Sequence, residues 1–262
     1  MFIKNVFLKN NNIKNYKKNI PRIYMKEKLK INETYFLSKD NMHYIQSVLR
    51  MKMQDIIEIF NDTNYIFFGK IIFLSVQIIK IKIFRNELRN IESPINIHLG
   101  QIISKNEKID FIIQKSIEMG VNIITPLFSE YCNVQKKFFN VSHKIQRWNK
   151  IIISACQQCN RNIIPKIQNP KDILAWCQDA QENDMKIVFH PESHLTINQL
   201  NKFTKNIRII IGPEGGLSKH EIKKIIEYGF TSIKLGPRIL RTETAAIAAI
   251  TALQIKFGDF II

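Results

Sequence analysis

Glycine and cysteine are scarce in this chain, with 9 and 4 among 262 residues, and longer signals are missing altogether. No stretch approaches the ~18–20 consecutive apolar residues of a membrane span, which excludes an integral membrane protein of the helical kind. Residues 1–19 have no apolar core or small-residue cleavage site, so they do not read as a secretory signal. The four cysteines, Cys132, Cys156, Cys159 and Cys177, then imply reduced thiols in a cytoplasm. Cys156 and Cys159 have zinc-like spacing but no second pair, and they fall within an apparent helix. They read as small packing residues, and we expect no metal site. The chain also lacks a Gly-Lys-Ser/Thr triphosphate loop and a G-x-G-x-x-G dinucleotide turn.

What glycine there is concentrates near the C-terminus. One segment runs Ile211-Gly212-Pro213-Glu214-Gly215-Gly216-Leu217-Ser218, the other Leu235-Gly236-Pro237-Arg238-Ile239-Leu240-Arg241-Thr242-Glu243-Thr244. Each follows a short apolar run, Arg208–Ile211 and Ser232–Leu235, and each leads into a helical pattern. Strand, tight loop and helix, repeated, is how an α/β protein builds a ligand crevice at the carboxyl ends of its strands. Turns of this kind offer backbone N–H and C=O groups at close range.

Patterning divides the chain in two. From 20 to about 90, strands are expected at 34–37, 55–60, 65–73 and 76–84, the last containing the strict alternation Ile79-Lys80-Ile81-Lys82-Ile83. One helix interrupts them, with Ser38 as N-cap, and Asn86–Ser93 is the expected linker. From Ile95 onward strands and helices alternate, which predicts a largely parallel sheet covered by helices. Ser218-x-x-Glu221 reads as a capping box, Gly120 and Gly229 as helix terminators, and an alanine-rich helix is expected over 242–257. Lys115 and Glu118 have the i,i+3 spacing of a structural pair.

Charge points to a polyanionic partner. The net charge is +17, and residues 1–90 carry 17 Lys+Arg against 7 Asp+Glu, so the smaller part is the more basic per residue. Coding drift toward Lys, Asn and Ile competes with RNA contact as the source of that excess. The basic stretch 1–19 reads as a disordered extension.

The two glycine segments closely resemble the SPOUT superfamily of methyltransferases, and within it the family that methylates N3 of one uridine in 16S ribosomal RNA. Pro21-Arg22-Ile23-Tyr24, Val48-Leu49-Arg50-Met51, His98-Leu99-Gly100-Gln101, the segments 114–121 and 124–130, and Phe257-Gly258-Asp259 are similar to family segments in the expected order. The resemblance implies an α/β fold: a trefoil-knot SPOUT domain over 91–262, preceded by a PUA-like RNA-binding β-barrel over 20–90. Periodicity alone gives an ordinary doubly wound sheet.

The resemblance also implies S-adenosylmethionine as cofactor, 16S ribosomal RNA of the small subunit as partner, and a homodimer joined near Ala245, Ala246, Ala248, Ala249 and Ala252, with core packing as the alternative role of these alanines. The cofactor is expected against Phe189, His190 and Pro191, then Ile211, Gly212, Glu214, Gly215 and Gly216, and then Leu235, Gly236, Ile239, Leu240 and Thr242. Glu243 is a candidate proton acceptor, with the alternative that it only favours the helix start. Arg241 is a candidate for stabilising the developing anion, with an ion pair to Glu214 or Glu243 as its alternative. Arg22, Arg50 and Arg161 are candidate RNA contacts, against structural roles. Two positions depart from the family pattern: Tyr131 stands where arginine is common, and Gln157 where glutamate is. Other function classes remain open: a SPOUT enzyme acting on transfer RNA or a ribose hydroxyl, and a non-catalytic RNA-binding assembly factor.

Overall fold

A computed structural model of the chain describes residues 20–104, 106–132, 134, 139–200 and 203–260. The expected basic extension 1–19 lies outside the described residues. The chain divides into two compact units, Met1–Asn90 and Ile91–Ile262. No helix among the described residues is long and apolar enough to cross a membrane.

The first unit is a five-stranded sheet: β1 (Arg22–Tyr24), β2 (Thr34–Phe36), β3 (Ile56–Phe60), β4 (Tyr65–Leu74) and β5 (Ile79–Leu88), in the order β1-β3-β4-β5-β2. Only β1 and β3 pair in parallel. The isoleucine–lysine alternation of β5 turns Ile79, Ile81 and Ile83 inward, where they pack with Ile23, Ile57, Ile59 and Ile71. Helix α1 (Lys39–His43) starts where expected, with the Ser38 hydroxyl accepting from Asn41 N at 3.3 Å. It then continues as one wider turn over Tyr44–Val48 that buries Ile45. The expected linker proves shorter, because Asn86, Glu87 and Leu88 extend β5 against Phe67, Ile66 and Tyr65 of β4. Their polar composition suggests loop, but a long hairpin partner satisfies their backbone groups.

The second unit is built on strands β6 (Asn96–Ile102), β7 (Val121–Phe128), β8 (Lys166–Ile167), β9 (Lys171–Asp172), β10 (Met185–Phe189), β11 (Leu195–Thr196), β12 (Asn206–Ile211) and β13 (Thr231–Lys234). Seven run in the order β11-β13-β10-β12-β6-β7-β8, with β9 also pairing β7, and every pairing is parallel. Helices are α2 (Asn106–Glu118), α3 (Val141–Cys159), α4 (Ile173–Gln178), α5 (Lys219–Glu227) and α6 (Thr242–Phe257). Adjacent residues Ile209 and Ile210 are both fully buried, so both sheet faces are covered, as continuous apolar runs in parallel strands require. Trp176 of α4 and Ile225 of α5 cover the face of Ile210 and Val188, while α2 packs with α3 and α6.

Two small features fix this packing. A Cβ on Gly100 would lie 2.8 Å from Leu127 Cδ1 and 2.9 Å from Trp176 Cη2, so glycine lets the indole lie on the strand. At the far end of α6, buried Gln254 donates to Met119 O at 3.0 Å and accepts from Ser93 Oγ at 2.7 Å, tying α6 to the end of α2. Gly120 terminates α2 with φ +89°, as its placement in the sequence predicts. The Lys115–Glu118 pair forms at 2.8 Å.

Candidate functional site

Parallel register brings the expected loops to one edge. Phe189 pairs with Ile211 and Ile233, Ile211 with Gln101, and Gln101 with Pro126. The segments after β10, β12, β13 and β6 therefore all leave from the carboxyl edge of the sheet, the side on which open α/β sheets bind ligands. They are laced together by hydrogen bonds. His190 N donates to Ile233 O at 2.9 Å. Thr242, the first residue of α6, donates from Oγ1 to Gly212 O at 2.7 Å and accepts from Gln101 Nε2 at 3.0 Å. One buried hydroxyl thus joins the start of α6, the loop after β12 and the end of β6.

The loop after β12 is closed by Gly216 N donating to Pro213 O at 3.0 Å, with Gly216 at φ +76°. Gly236, in the loop after β13, has φ +149°. A Cβ placed on either glycine meets nothing within 4 Å. The strained backbone needs glycine, and the space in front of it is open to a ligand. Leu235 and Leu240 are half-buried beside this loop, and Ile239 is 86% exposed, so an apolar wall faces outward. On the other side, Glu221 completes the expected capping box with Ser218 and also accepts from Glu130 N at 2.9 Å. That bond holds the segment after β7 beside the turn, where a Cβ on Gly215 would lie 3.6 Å from Tyr131 Cβ.

Charge gathers at the same edge. Lys108 of α2 lies 2.6 Å from Glu214. The pKa of Lys108 is raised, chiefly by that hydrogen bond, with Glu243 adding to the rise and Arg241 opposing it. These four side chains share one electrostatic neighbourhood. Lys108 is thus a partner of Glu214, a role also considered for Arg241. Arg241 is exposed and is the N-cap of α6, with no side-chain cap hydrogen bond. Glu243 is half-buried, and its Oε2 is shielded from solvent with no hydrogen-bond partner among the described residues. A carboxylate oxygen in that state lacks the partner that buried polar atoms normally have.

The candidate RNA contacts separate. Arg50 is exposed, at φ +50° after the wide helical turn. Arg22 is only 7% exposed, with Nε 3.1 Å from Glu58 and its guanidinium 4.2 Å over the Phe60 ring. Arg161 is 4% exposed; it pairs with Glu92 and donates to Ile117 O and Val121 O at 2.9 and 2.8 Å. Each of these two guanidiniums is buried against a carboxylate, an arrangement that favours a structural role for Arg22 and Arg161 over RNA contact. Gln101 and Lys108 carry no role in the sequence reading. The signals for Gln101 are its place in the family-like segment 98–101 and a long polar side chain near the end of an apolar strand.

A cavity of about 420 Å³ opens at the opposite, amino edge, lined by Asn96, Asn122, Asn206, His98 and Arg208 among others. Its Arg208 is engaged: the guanidinium lies 4.0 Å from Asp184, 4.3 Å from the centroid of the Trp176 ring, and donates to Trp176 O at 3.2 Å. Burial, with Arg208 and Lys171 adding to it, pushes the His98 pKa down to about 3. The imidazole is neutral and bonds Thr125 Oγ1 at 2.7 Å. No cluster of three or more metal-ligating side chains occurs among the described residues.

Comparison with known proteins gives the family. An RNA methyltransferase domain model matches residues 91–254 and an RNA methyltransferase PUA domain model matches residues 37–84. Ribosomal RNA small subunit methyltransferase E of Buchnera aphidicola from Acyrthosiphon pisum is 61% identical over 243 residues, 93% of this chain and 96% of that protein. A putative methyltransferase of Legionella pneumophila, solved in complex with the cofactor SAM, superposes with TM-score 0.89 at 37% identity, covering 92% of this chain and 100% of that one. The ribosomal RNA small subunit methyltransferase E of Neisseria gonorrhoeae, solved bound to S-adenosyl methionine, gives TM-score 0.87 at 32% identity over 93% and 100%. The second unit has the SPOUT trefoil-knot fold, which periodicity alone did not indicate, and the first is a PUA domain. With both units matched and relatives similar over nearly its whole length, the chain belongs to the family of RNA methyltransferases that includes the ribosomal RNA small subunit methyltransferase E proteins.

Proposed function

We propose that this chain transfers the methyl group of S-adenosylmethionine to N3 of one uridine in 16S ribosomal RNA of the small ribosomal subunit, acting in the cytoplasm as a homodimer. The observation that carries the reading is the laced carboxyl edge: glycine backbone open to a ligand at Gly216 and Gly236, beside Glu243 with its unpartnered oxygen. The names of the similar proteins and the cofactor in two of their structures support it.

The residues present fit that cofactor. When bound, it supplies an electrophilic methyl group on a cationic sulfur. Phe189, Ile211, Leu235, Ile239 and Leu240 give apolar surface for a flat base. His190, Pro191, Gly212, Glu214, Gly215, Gly216 and Gly236 give main-chain groups at close range. Thr242 fixes the separation of two of the loops through its paired bonds. Holding nucleophile and methyl in line converts a bimolecular encounter into a positioned one.

The uracil N3 carries an imide proton and is a poor nucleophile until that proton is leaving. Glu243 accepts it as the N3 lone pair forms the bond to carbon, the carbon–sulfur bond breaks and its electrons remain on sulfur. Arg241, exposed at the start of α6, offsets the negative charge that develops on O2 and O4. Arg50 is the remaining candidate RNA contact of the original three. A second copy packs against α6 through Ala245, Ala248 and Ala252, which are not fully buried, whereas Ala246 and Ala249 are buried within the chain itself.

Single-turnover rates across pH test the assignments. Glu243→Gln is expected to bind cofactor normally and slow transfer by about 10²-fold or more, with part of the loss recovered as pH rises and uracil ionises unaided. Arg241→Ala is expected to lose rate at every pH, because the charge it offsets is present whether or not the proton has gone. An unimpaired Glu243→Gln enzyme would remove Glu243 as the proton acceptor.

A further inference from the structure

The outer face of the first unit carries rings where an exposed sheet face ordinarily carries polar groups. The alternation that buries Ile79, Ile81 and Ile83 turns Lys80, Lys82 and Phe84 outward. Register extends the pattern across three strands. Phe36 of β2 pairs with Lys80 of β5, which pairs with Phe73 of β4; beside that row, Thr34 pairs with Lys82, and Lys82 with Lys70. Phe36, Phe73 and Phe84 are 61%, 45% and 40% exposed. The Lys80 ammonium lies 5.1 Å from the Phe36 ring centroid and 5.6 Å from that of Phe73. Phe84 lies 6.5 Å from Phe68, over which the Arg85 guanidinium sits at 5.5 Å.

No carboxylate stands in these two rows. The acids on neighbouring positions are engaged, Glu58 by Arg22 and Arg89 and Glu87 by Arg85. Exposed rings on a flat face are an aggregation hazard. Rings interleaved with lysines form what single-stranded nucleic acid uses: π-faces for bases and cations for the phosphates between them. A duplex offers no free base face to such rings. An apolar protein partner would be served by the rings but not by the lysines between them.

We propose that the face formed by Phe36, Phe73, Phe84, Lys70, Lys80 and Lys82 is a stacking platform for a single-stranded stretch of RNA. The rings of the Phe36–Lys80–Phe73 row stand two strand spacings, roughly 10 Å, apart. Each ring takes a base, and Lys80 takes the phosphate backbone that runs between them. The proposal rests on reading the chain as an RNA methyltransferase, and it adds an RNA surface on the first unit.

The test uses the full chain and a fluorescein-labelled single-stranded RNA of mixed sequence, followed by anisotropy as salt is varied. Phe36→Ala and Phe73→Ala are each expected to weaken binding roughly tenfold, and Phe36→Tyr and Phe73→Tyr to restore it, since a ring remains. Lys80→Gln is expected to lower the slope of log affinity against log salt by about 0.7. Calorimetric affinity for S-adenosylmethionine should be unchanged in every variant. Alanine and Lys80→Gln variants that bind within twofold of the unaltered chain, with its salt slope, would overturn the platform while leaving the methyltransferase reading intact. Alanine variants that instead break a dimer by light scattering, with RNA affinity kept, would assign the face to a second copy and equally overturn it. Ring-dependent RNA binding in a chain that binds no S-adenosylmethionine would uphold the platform and remove the reading on which it rests.

Discussion

Thr242→Val removes a hydroxyl and adds a methyl of nearly the same size, so it tests the lacing of the crevice with little change in volume. The lost groups are definite. Gly212 O loses its 2.7 Å donor, and one Gln101 N–H loses its 3.0 Å acceptor. The same Gln101 nitrogen still donates to Ile102 O at 3.1 Å, and Gly212 is only half-buried, so neither orphan is complete. At about 1–3 kcal/mol for each buried group left unsatisfied, and the lower half of that range for these two, the loss is about 2–4 kcal/mol. Thr242→Ser keeps the hydroxyl and should cost less than about 1 kcal/mol, from one methyl. Urea unfolding measures both. The double variant Gln101→Leu, Thr242→Val should lose less than the sum of the singles, because it removes both partners of one bond. If the loops are held by this hydroxyl, S-adenosylmethionine affinity should fall in the valine variant and persist in the serine one. A valine variant with unchanged stability and unchanged affinity would refute the lacing argument.

Other outcomes follow from groups away from the crevice. Stability should fall with acidity through His98: its folded pKa of about 3 lies below the unfolded 6.5, so the unfolded chain binds the proton first. That contribution is complete above 6.5 and declines by about 2 kcal/mol between pH 6.5 and 5; His98→Gln should flatten this part of the urea-midpoint profile. Arg161→Met should destabilise by about 3 kcal/mol, because half-buried Glu92 loses an ion-pair partner and the Ile117 and Val121 carbonyls lose their donors, and it should leave the salt dependence of RNA binding unchanged. A stable Arg161→Met with weakened RNA binding would restore the surface role that burial denies it.

Much of the fold was legible because local chemistry and packing agree. The helix Thr242–Phe257 is rich in alanine, the strongest helix former, and it has the expected bounds. The Ser218–Glu221 box and the β5 alternation are equally local. The crevice was legible in part, since strands in parallel register must deliver their following loops to one edge. Other features depend on partners distant in sequence. Nothing near Arg161 or Arg22 announces Glu92 or Glu58, and both arginines read as surface cations until their burial is seen. Gln101 and Thr242 meet across 141 positions. The extension of β5 through Leu88 depends on the length of its hairpin partner, which polar composition conceals. The knot is a property of threading, to which periodicity is blind.

The most direct test of the account is to incubate the chain with S-adenosylmethionine carrying a deuterated methyl group and small-subunit ribosomal RNA from cells lacking the gene, then map the label by mass. The account predicts one labelled methyl group on one uracil ring, at N3, where it blocks base pairing and halts reverse transcription at that nucleotide, and no label with Glu243→Gln on the same timescale. Label on a ribose hydroxyl or on another base, or an RNA that stays unlabelled while the cofactor binds, would contradict it.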